Sequence, residues 1–249
     1  MDNRIWAVWY DLPENVQKEH IDWLHSSYLT EIISRPGFTW AAHYQSNGGG
    51  PDMDKVRNTF PKSVDMENIG KGTEFLILIG AATPSTFFAP NVVDQENSSE
   101  RATREMLNMR EGERVCIFSE FARVNGPEIE TRPNGTTPGP AIQMGSFRIN
   151  EIDKEFDLGS WYMQDRLPTM AKMSGCIGAR VMLSAAGWAK YSVLYEFTSL
   201  EARLENFEKQ QEALNLDEKE WSGKVIRSTM HTPGSPIVAQ RIWPPLKNG

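Results

Sequence analysis

Three side chains near the start of the chain, His25, Tyr28 and His43, have the chemistry of acid–base catalysis. An imidazole titrates near neutral pH, and an apolar pocket disfavours its charged form, which leaves a neutral base. A phenol hydroxyl can stabilise negative charge that develops on a substrate oxygen. Together the two groups can remove a proton next to a carbonyl group or from a phenol, and they suffice for the retro-aldol loss of a small fragment.

Each of these residues also has a structural interpretation. His25 lies on the apolar stripe of a predicted helix, where a histidine can pack in the core instead of catalysing, and Tyr28 can do the same. For His43, the alternation of a strand leaves open which of two faces points toward a pocket. One face carries Thr39, Ala41 and His43, and the other carries Trp40, Ala42 and Tyr44.

Aromatic and basic side chains offer candidate contacts to a substrate. Trp6, Trp40 and Tyr44 could form a wall against a planar ligand. Arg180, on a predicted strand, could pair with a carboxylate, which is either a structural acid of the chain or a group of the substrate. The substrate-binding prediction therefore comprises these four residues, beside the three catalytic candidates.

Hydrophobic periodicity predicts the elements that position these residues. Strands at 5–10, 38–44, 75–79 and 114–121 alternate with a helix at 14–34 and a shorter helix near 98–109. This order, β-α-β-β-α-β, is that of the ferredoxin-like split unit. The second half repeats it, with strands at 141–147, 174–183, 191–197 and 237–243. A Gly- and Pro-rich stretch at 126–140 predicts a linker between units 1–125 and 141–249.

The two halves also share residues at a constant offset. Trp23, Leu29 and Gly37 reappear 138 positions later as Trp161, Leu167 and Gly175. A repeat of this length indicates one supersecondary unit used twice, with the two incomplete apolar faces closed against each other.

The repeats differ at the positions that could do chemistry. Under the same offset His25 aligns with Met163, Tyr28 with Arg166, and His43 with Val181. We therefore expect one working copy and one structural copy. The working copy would be the first unit, with a ligand-sized cavity lined by Trp6, His25, Tyr28 and His43, and the second unit would be filled by Met163, Val181 and their neighbours.

Composition excludes several classes of function. The formal net charge is −7, and no run of basic residues offers a surface for nucleic acid or anionic membrane. The polar and proline interruptions within 75–93 argue against a transmembrane helix. Two isolated cysteines and no secretory signal predict a reduced, cytoplasmic setting. No zinc, nucleotide or hydrolase motif occurs. We expect His20 to be solvated and His231 to lie in a surface loop.

A strand, a helix carrying W-x5-L-x7-G and a strand led by glycine resemble the dimeric α+β barrel superfamily, particularly its EthD-type members fused in tandem. The resemblance covers most of both halves. It implies two four-stranded antiparallel sheets that pair into a barrel within one chain, with helices outside and a small organic ligand between sheet and helices. Relatives include monooxygenases without cofactors, cyclases, isomerases and haem-binding proteins.

These observations predict an α+β chain of two tandem ferredoxin-like units that form an intrachain barrel. The predicted function is a cofactor-independent enzyme acting on a small aromatic or polyketide-like molecule by proton transfer, as a lyase, isomerase or cyclase. One alternative is an oxidase, either without cofactor or with haem bound by His25 or His20. A second alternative is a small-molecule-binding or stress protein without catalysis. We expect no metal and no cofactor, and a homodimer is compatible with the sequence.

Overall fold

The structure, a computed structural model, describes residues 3–60, 68–132, 137–149, 151–212 and 217–246. The strands are β1 (Arg4–Asp11), β2 (Phe38–Ser46), β3 (Phe75–Ala81), β4 (Glu111–Asn125), β5 (Ala141–Ile149), β6 (Cys176–Ala186), β7 (Tyr191–Phe197), β8 (Thr229–His231) and β9 (Ile237–Trp243). The α-helices are α1 (Glu14–Trp23), α2 (Leu29–Ser34), α3 (Gly50–Thr59), α4 (Val92–Ser98), α5 (Arg101–Leu107), α6 (Ile152–Trp161), α7 (Leu167–Met170), α8 (Leu200–Arg203) and α9 (Trp221–Arg227).

Eight of these strands close into one antiparallel β-barrel. Neighbours follow the order β7-β6-β4-β1-β3-β2-β9-β5, and β5 pairs back with β7. Within this cycle β4-β1-β3-β2 and β9-β5-β7-β6 each have the strand order of a ferredoxin-like unit, and the two sheets join along β2–β9 and β4–β6. The short β8 extends the edge of β5 beside β9. The predicted fold class is confirmed.

The sheet is buried on both faces, which explains the apolar strands. Along β1, Ile5, Ala7 and Trp9 point into the barrel and meet Ile142 and Met144 of the other unit. The alternate residues of β1 face the helices and form a separate core with them. An equivalent helix-facing core fills the second unit around Trp161 and Phe207. The chain therefore has a shared barrel core and one helix-to-sheet core in each unit.

The long helix of each unit has the same irregularity. A single π-helical turn interrupts it at Leu24–Tyr28 in the first unit and at Tyr162–Arg166 in the second, again 138 positions apart. The repeated glycines also share a conformation, because Gly37 and Gly175 have φ values of 90° and 79°, which favour glycine. These features support the repeat, and we keep 1–125, 126–140 and 141–249 as a working division of the chain.

Several elements were not predicted. Helices α3 and α9 have no counterpart among the predicted elements, and β8 occupies the place where His231 was expected to lie in a surface loop. The predicted linker lacks strands in its described part but contains a 3₁₀ turn at Ile129–Thr131. It packs closely on the barrel, since the Tyr44 hydroxyl donates to the Gly139 carbonyl over 2.9 Å.

Candidate functional site

An apolar cavity lies between the sheet and the helices of the second unit. Its volume is about 50 Å³. Strands β5 and β7 form its floor, and α6, the following π turn, α9 and the end of α3 cover it. Aromatic rings form most of its walls, with a few polar groups. The lining residues that bear on its chemistry are Phe60, Gly145, Phe147, Trp161, Tyr162, Arg166, Tyr195 and His231.

One wall of the cavity is a stack of three rings. The Phe60 and His231 rings are 3.7 Å apart between centroids and lie within 12° of parallel. On its other side His231 stacks on Phe147, with 5.0 Å between centroids. Phe60 follows directly after α3 and is only half-buried. Its ring shows that a planar aromatic group fits against His231 at this place.

Hydrogen bonds fix the tautomer of His231. The Thr229 hydroxyl donates its proton to the Ile226 carbonyl over 2.7 Å, so it can only accept from His231 Nε2 at 3.1 Å. Nε2 therefore carries the proton, and Nδ1 accepts from the Ser235 hydroxyl at 2.9 Å. Burial lowers the pKa of His231 to about 3, because the charged form would be desolvated. The imidazole is neutral at physiological pH.

Arg166 places a positive charge in the cavity wall. Its residue surface is only 3% exposed, and Nε and Nη1 have no hydrogen-bond partner among the described residues. The guanidinium carbon lies 4.7 Å from the Trp161 ring centroid and 5.2 Å from that of Phe207. These cation–π contacts offset part of the desolvation cost. No carboxylate in the described part of the chain pairs with Arg166, so its charge is available to a ligand.

The residues predicted to line a cavity in the first unit lie outside the cavity described above. Trp6, Tyr28 and His43 are buried in close packing, and none of them lines it. Met163, expected to fill the second unit, is 39% exposed at the surface. The aromatic cavity therefore lies in the second unit, and the assignment of the working copy to the first unit stays a prediction.

The structure does bring two predicted residues together, with a third that was not predicted. His25 Nε2 lies 2.8 Å from His43 Nδ1, and His43 Nε2 lies 2.9 Å from the Tyr10 hydroxyl. The chain of hydrogen bonds thus runs from half-buried His25 to fully buried Tyr10. Burial lowers the pKa of both histidines and raises the pKa of Tyr10, so all three groups are neutral at pH 7.

Tyr28 belongs to a neighbouring cluster. Its hydroxyl donates to Glu96 Oε1 at 2.5 Å, and burial raises the pKa of the phenol well above its usual value. Arg110 donates to Glu113 at 2.9 Å and approaches Glu96 at 3.5 Å. Its guanidinium carbon lies 5.0 Å from the Tyr10 ring centroid. The described residues of the first unit thus provide their own counter-ions to this buried cation.

The remaining predicted contacts lie elsewhere. Trp40 and Tyr44 point into the barrel core, on the face opposite to His43. Arg180 donates to Glu196 Oε1 at 3.0 Å, and Arg132 also donates to that carboxylate. Burial would raise the pKa of Glu196, but the two guanidiniums hold it below its usual value. Arg180 is thus engaged with the structural acid that the sequence left open as one of its two partners.

Two other histidine expectations are wrong. His20 is fully buried instead of solvated, with Nδ1 3.0 Å from the Met106 carbonyl oxygen. His231 lies on β8 in a cavity wall instead of in a surface loop. One hint of the site was present in the sequence, because Arg166 is a charged residue at the helix position where the first unit has the aromatic ring of Tyr28. Phe60 carried no comparable signal.

The two helix-borne candidates for a haem ligand, His20 and His25, do not line this cavity, and each has a ring nitrogen held by another group. Within the described ranges, no cluster of three or more His, Cys, Asp or Glu side chains could hold a metal ion. Among these residues, no helix is long and apolar enough to cross a membrane.

Comparison with solved structures supports the fold. A candidate monooxygenase from Fusobacterium nucleatum superposes with a TM-score of 0.56 at 10% identity, covering 100% of this chain and 96% of that one. An anthrone oxidase-like protein gives 0.54 at 12% identity, covering 96% and 90%. A chlorite dismutase from Candidatus Nitrospira defluvii gives 0.51 at 9% identity, covering 96% and 91%. Neither a protein-family model nor a curated protein matches the sequence. These similarities show an α+β barrel fold.

Proposed function

We propose that this chain is an enzyme that binds a small aromatic molecule in the cavity of the second unit and catalyses proton transfer on it. The observation that carries the proposal is Arg166, a buried cation in the wall of an aromatic cavity that has no counter-ion among the residues the structure describes. A fixed positive charge in a dry site stabilises negative charge that develops on a substrate oxygen. Formation of an enolate or phenolate is the step that lyase, isomerase and cyclase reactions of this kind share.

The cavity must open before such a molecule can enter. Phe60 is the wall that a ligand ring could replace, because it is half-buried and already holds an aromatic ring against His231. In this proposal Nδ1 of the neutral His231 imidazole is the proton acceptor, once a bound substrate displaces the hydrogen bond that it accepts from the Ser235 hydroxyl. Negative charge on a ligand would raise the pKa of His231 from about 3 toward neutrality, and so would increase its strength as a base.

Deuterium exchange tests the proposal directly. Phenylpyruvate carries an aromatic ring and acidic methylene protons, and their exchange in D₂O is followed by proton NMR. We expect the protein to accelerate exchange and Gly145→Val to abolish the acceleration. A Cβ at Gly145 would meet Val193, His231 and Phe147 at 3.5–3.9 Å, which is ordinary contact, so a larger side chain fills the cavity without a backbone clash. Gly145→Ala is the matched mild variant.

Three outcomes separate the alternatives. Binding without exchange would favour a non-catalytic binding protein. Exchange that persists without oxygen, accompanied by oxygen uptake in air, would favour an oxygenase, since the same anion is its first intermediate. Equal exchange by the wild type and Gly145→Val would refute the cavity as the site. The cytoplasmic location and the homodimer stay predictions.

A second candidate site is the hydrogen-bonded chain His25–His43–Tyr10. It can relay a proton between the surface and the core, since His43 contacts both other groups through its two ring nitrogens. Acid–base chemistry at half-exposed His25 in the first unit would then be the function, as the sequence predicted. Replacing His25 by Met, which the second unit has at the aligned position, separates this candidate from the cavity.

A further inference from the structure

Both units bury an arginine between their sheet and their helices. In the first unit Arg110 lies over the Tyr10 and Tyr28 rings, with its guanidinium carbon 5.0 and 5.8 Å from their centroids. In the second unit Arg166 lies over Trp161 and Phe207. The two environments differ in what balances the charge.

The first unit balances Arg110 with its own carboxylates. Glu113 accepts from Arg110 at 2.9 Å, and Glu96 lies 3.5 Å away. Glu96 also accepts from the hydroxyl of Tyr28. Tyr28 is the residue that the 138-residue offset aligns with Arg166. At this helix position the first unit therefore directs a hydrogen-bond donor at a carboxylate.

Arg166 has no such group among the described residues. Every other buried arginine of the described chain has an acceptor for its guanidinium. Carboxylates accept from Arg110, Arg132 and Arg180, the Gln143 side-chain oxygen accepts from Arg203, which also lies beside Glu208, and backbone carbonyls accept from Arg114 and Arg241. The other buried arginines also keep one or two guanidinium nitrogens unpaired, but Arg166 alone among the described ones has no acceptor for any of its guanidinium donors, with Nε and Nη1 buried. Since buried charges in proteins are ordinarily paired, the described part of the chain leaves a place for a negative group at Arg166.

We propose that the ligand of this cavity is an aromatic monocarboxylate, whose carboxylate takes the place at Arg166 that Glu96 takes at Tyr28. This inference rests on the proposed function, because it uses the same cavity. The ring would lie in the aromatic part, against His231 and Phe147. A single cation in an otherwise apolar wall matches one negative charge, and charge-assisted hydrogen bonds from a guanidinium to a carboxylate are among the strongest in proteins.

Calorimetric titration of phenylacetate and phenylacetamide tests the inference. The two probes share a ring and nearly a shape, and differ in charge. We expect the wild type to bind the acid at least about tenfold more tightly than the amide. In Arg166→Met this preference should disappear, while the affinity for the amide changes less than about threefold. Arg101→Met, at a surface position, is the matched control for loss of one positive charge and should bind like the wild type.

The outcomes distinguish this inference from the proposed function. Equal affinity for both probes, abolished by Gly145→Val, would overturn the carboxylate and leave the cavity as the site. Binding of neither probe by the wild type would overturn both proposals. A preference for the acid that survives Arg166→Met would overturn the role of Arg166. The comparison of the two probes on the wild type needs no variant, so it holds even if a variant fails to fold.

Discussion

Arg166→Met should make the empty protein more stable, although it removes a side chain that is almost entirely buried. A residue kept for stability would lower the free energy of unfolding when it is replaced. A residue kept for a ligand has the opposite effect, since its desolvation is offset only when the ligand is present. Met keeps the unbranched, flexible stem of the side chain without the guanidinium and can pack against the rings of Trp161 and Phe207.

The structure allows the magnitude to be estimated. Two buried donors of Arg166, Nε and Nη1, lack acceptors, and each such group costs about 1–3 kcal/mol. Cation–π contacts with Trp161, Phe207 and Tyr195 return about 0.5–1 kcal/mol each. The remaining cost is about 1–2 kcal/mol. For a chain of this length that corresponds to a rise in Tm of roughly 2–8 °C.

Calorimetry and urea unfolding without ligand measure this change. Phenylacetate should then reverse the order of stability, because a ligand that binds only the native wild type stabilises it by about 2.7 kcal/mol at one hundred times its Kd. Arg203→Met is the matched control within the same unit. It would leave Glu208 as a buried carboxylate without its partner, and it should destabilise the protein. A lower Tm for Arg166→Met than for the wild type would refute the reasoning.

Three further predictions concern other groups. Burial lowers the pKa of every histidine, to about 4 for His20 and about 3 for His231. Unfolding therefore takes up protons below pH 6.5, and the free energy of unfolding should fall as the pH drops from about 6.5 to 4. His43→Val should reduce the slope of this free energy against pH by about 1.4 kcal/mol per pH unit. Phe60→Ala should strengthen phenylacetate binding and lower the Tm of the empty protein, because it opens the cavity and removes the stack on His231, and tighter binding by the wild type would contradict this. His25→Met should fold and retain phenylpyruvate exchange; a folded, inactive variant would move the site to the first unit.

The architecture was predictable because it depends on local patterns that are repeated. The offset that links Trp23 to Trp161 and Gly37 to Gly175 also links the two π-helical turns. Strand and helix positions followed from periodicity, and the order of elements then restricted the topology. The prediction of secondary structure failed around α3 and β8, because these segments are short and lack a clear apolar period.

The face of a strand could not be predicted for a physical reason. Alternation identifies a buried face only when the other face is exposed to water. In this barrel the strands are buried between an interior core and a layer of helices, so Trp40 and His43 both lie in apolar surroundings, on opposite faces of β2. No pattern within β2 distinguishes the two.

The prediction of the working copy relied on which residues can titrate, and it could not include the hydrogen-bond partners that those residues have in the fold. The imidazoles of His25 and His43 form a hydrogen bond with each other, and His43 forms a second one with the Tyr10 hydroxyl. Tyr10 lies on a strand for which the sequence pattern indicated only apolar packing. Tyr28 is satisfied by Glu96, 68 positions away. Long-range partners of this kind leave no signal in a single repeat.

The comparison of the two units suggests a different criterion for finding a site in a duplicated protein. Where one copy pairs a buried donor with its own carboxylate and the other does not, the second copy keeps an energetic deficit that a ligand can remove. Glu96 performs in the first unit what we assign to a ligand in the second. A carboxylate introduced beside Arg166 by mutation would then neutralise its charge within the chain and compete with the ligand, as Glu96 pairs with Tyr28 in the first unit. On this view the second unit holds the site, because the charge of Arg166 has no counter-ion among the described residues.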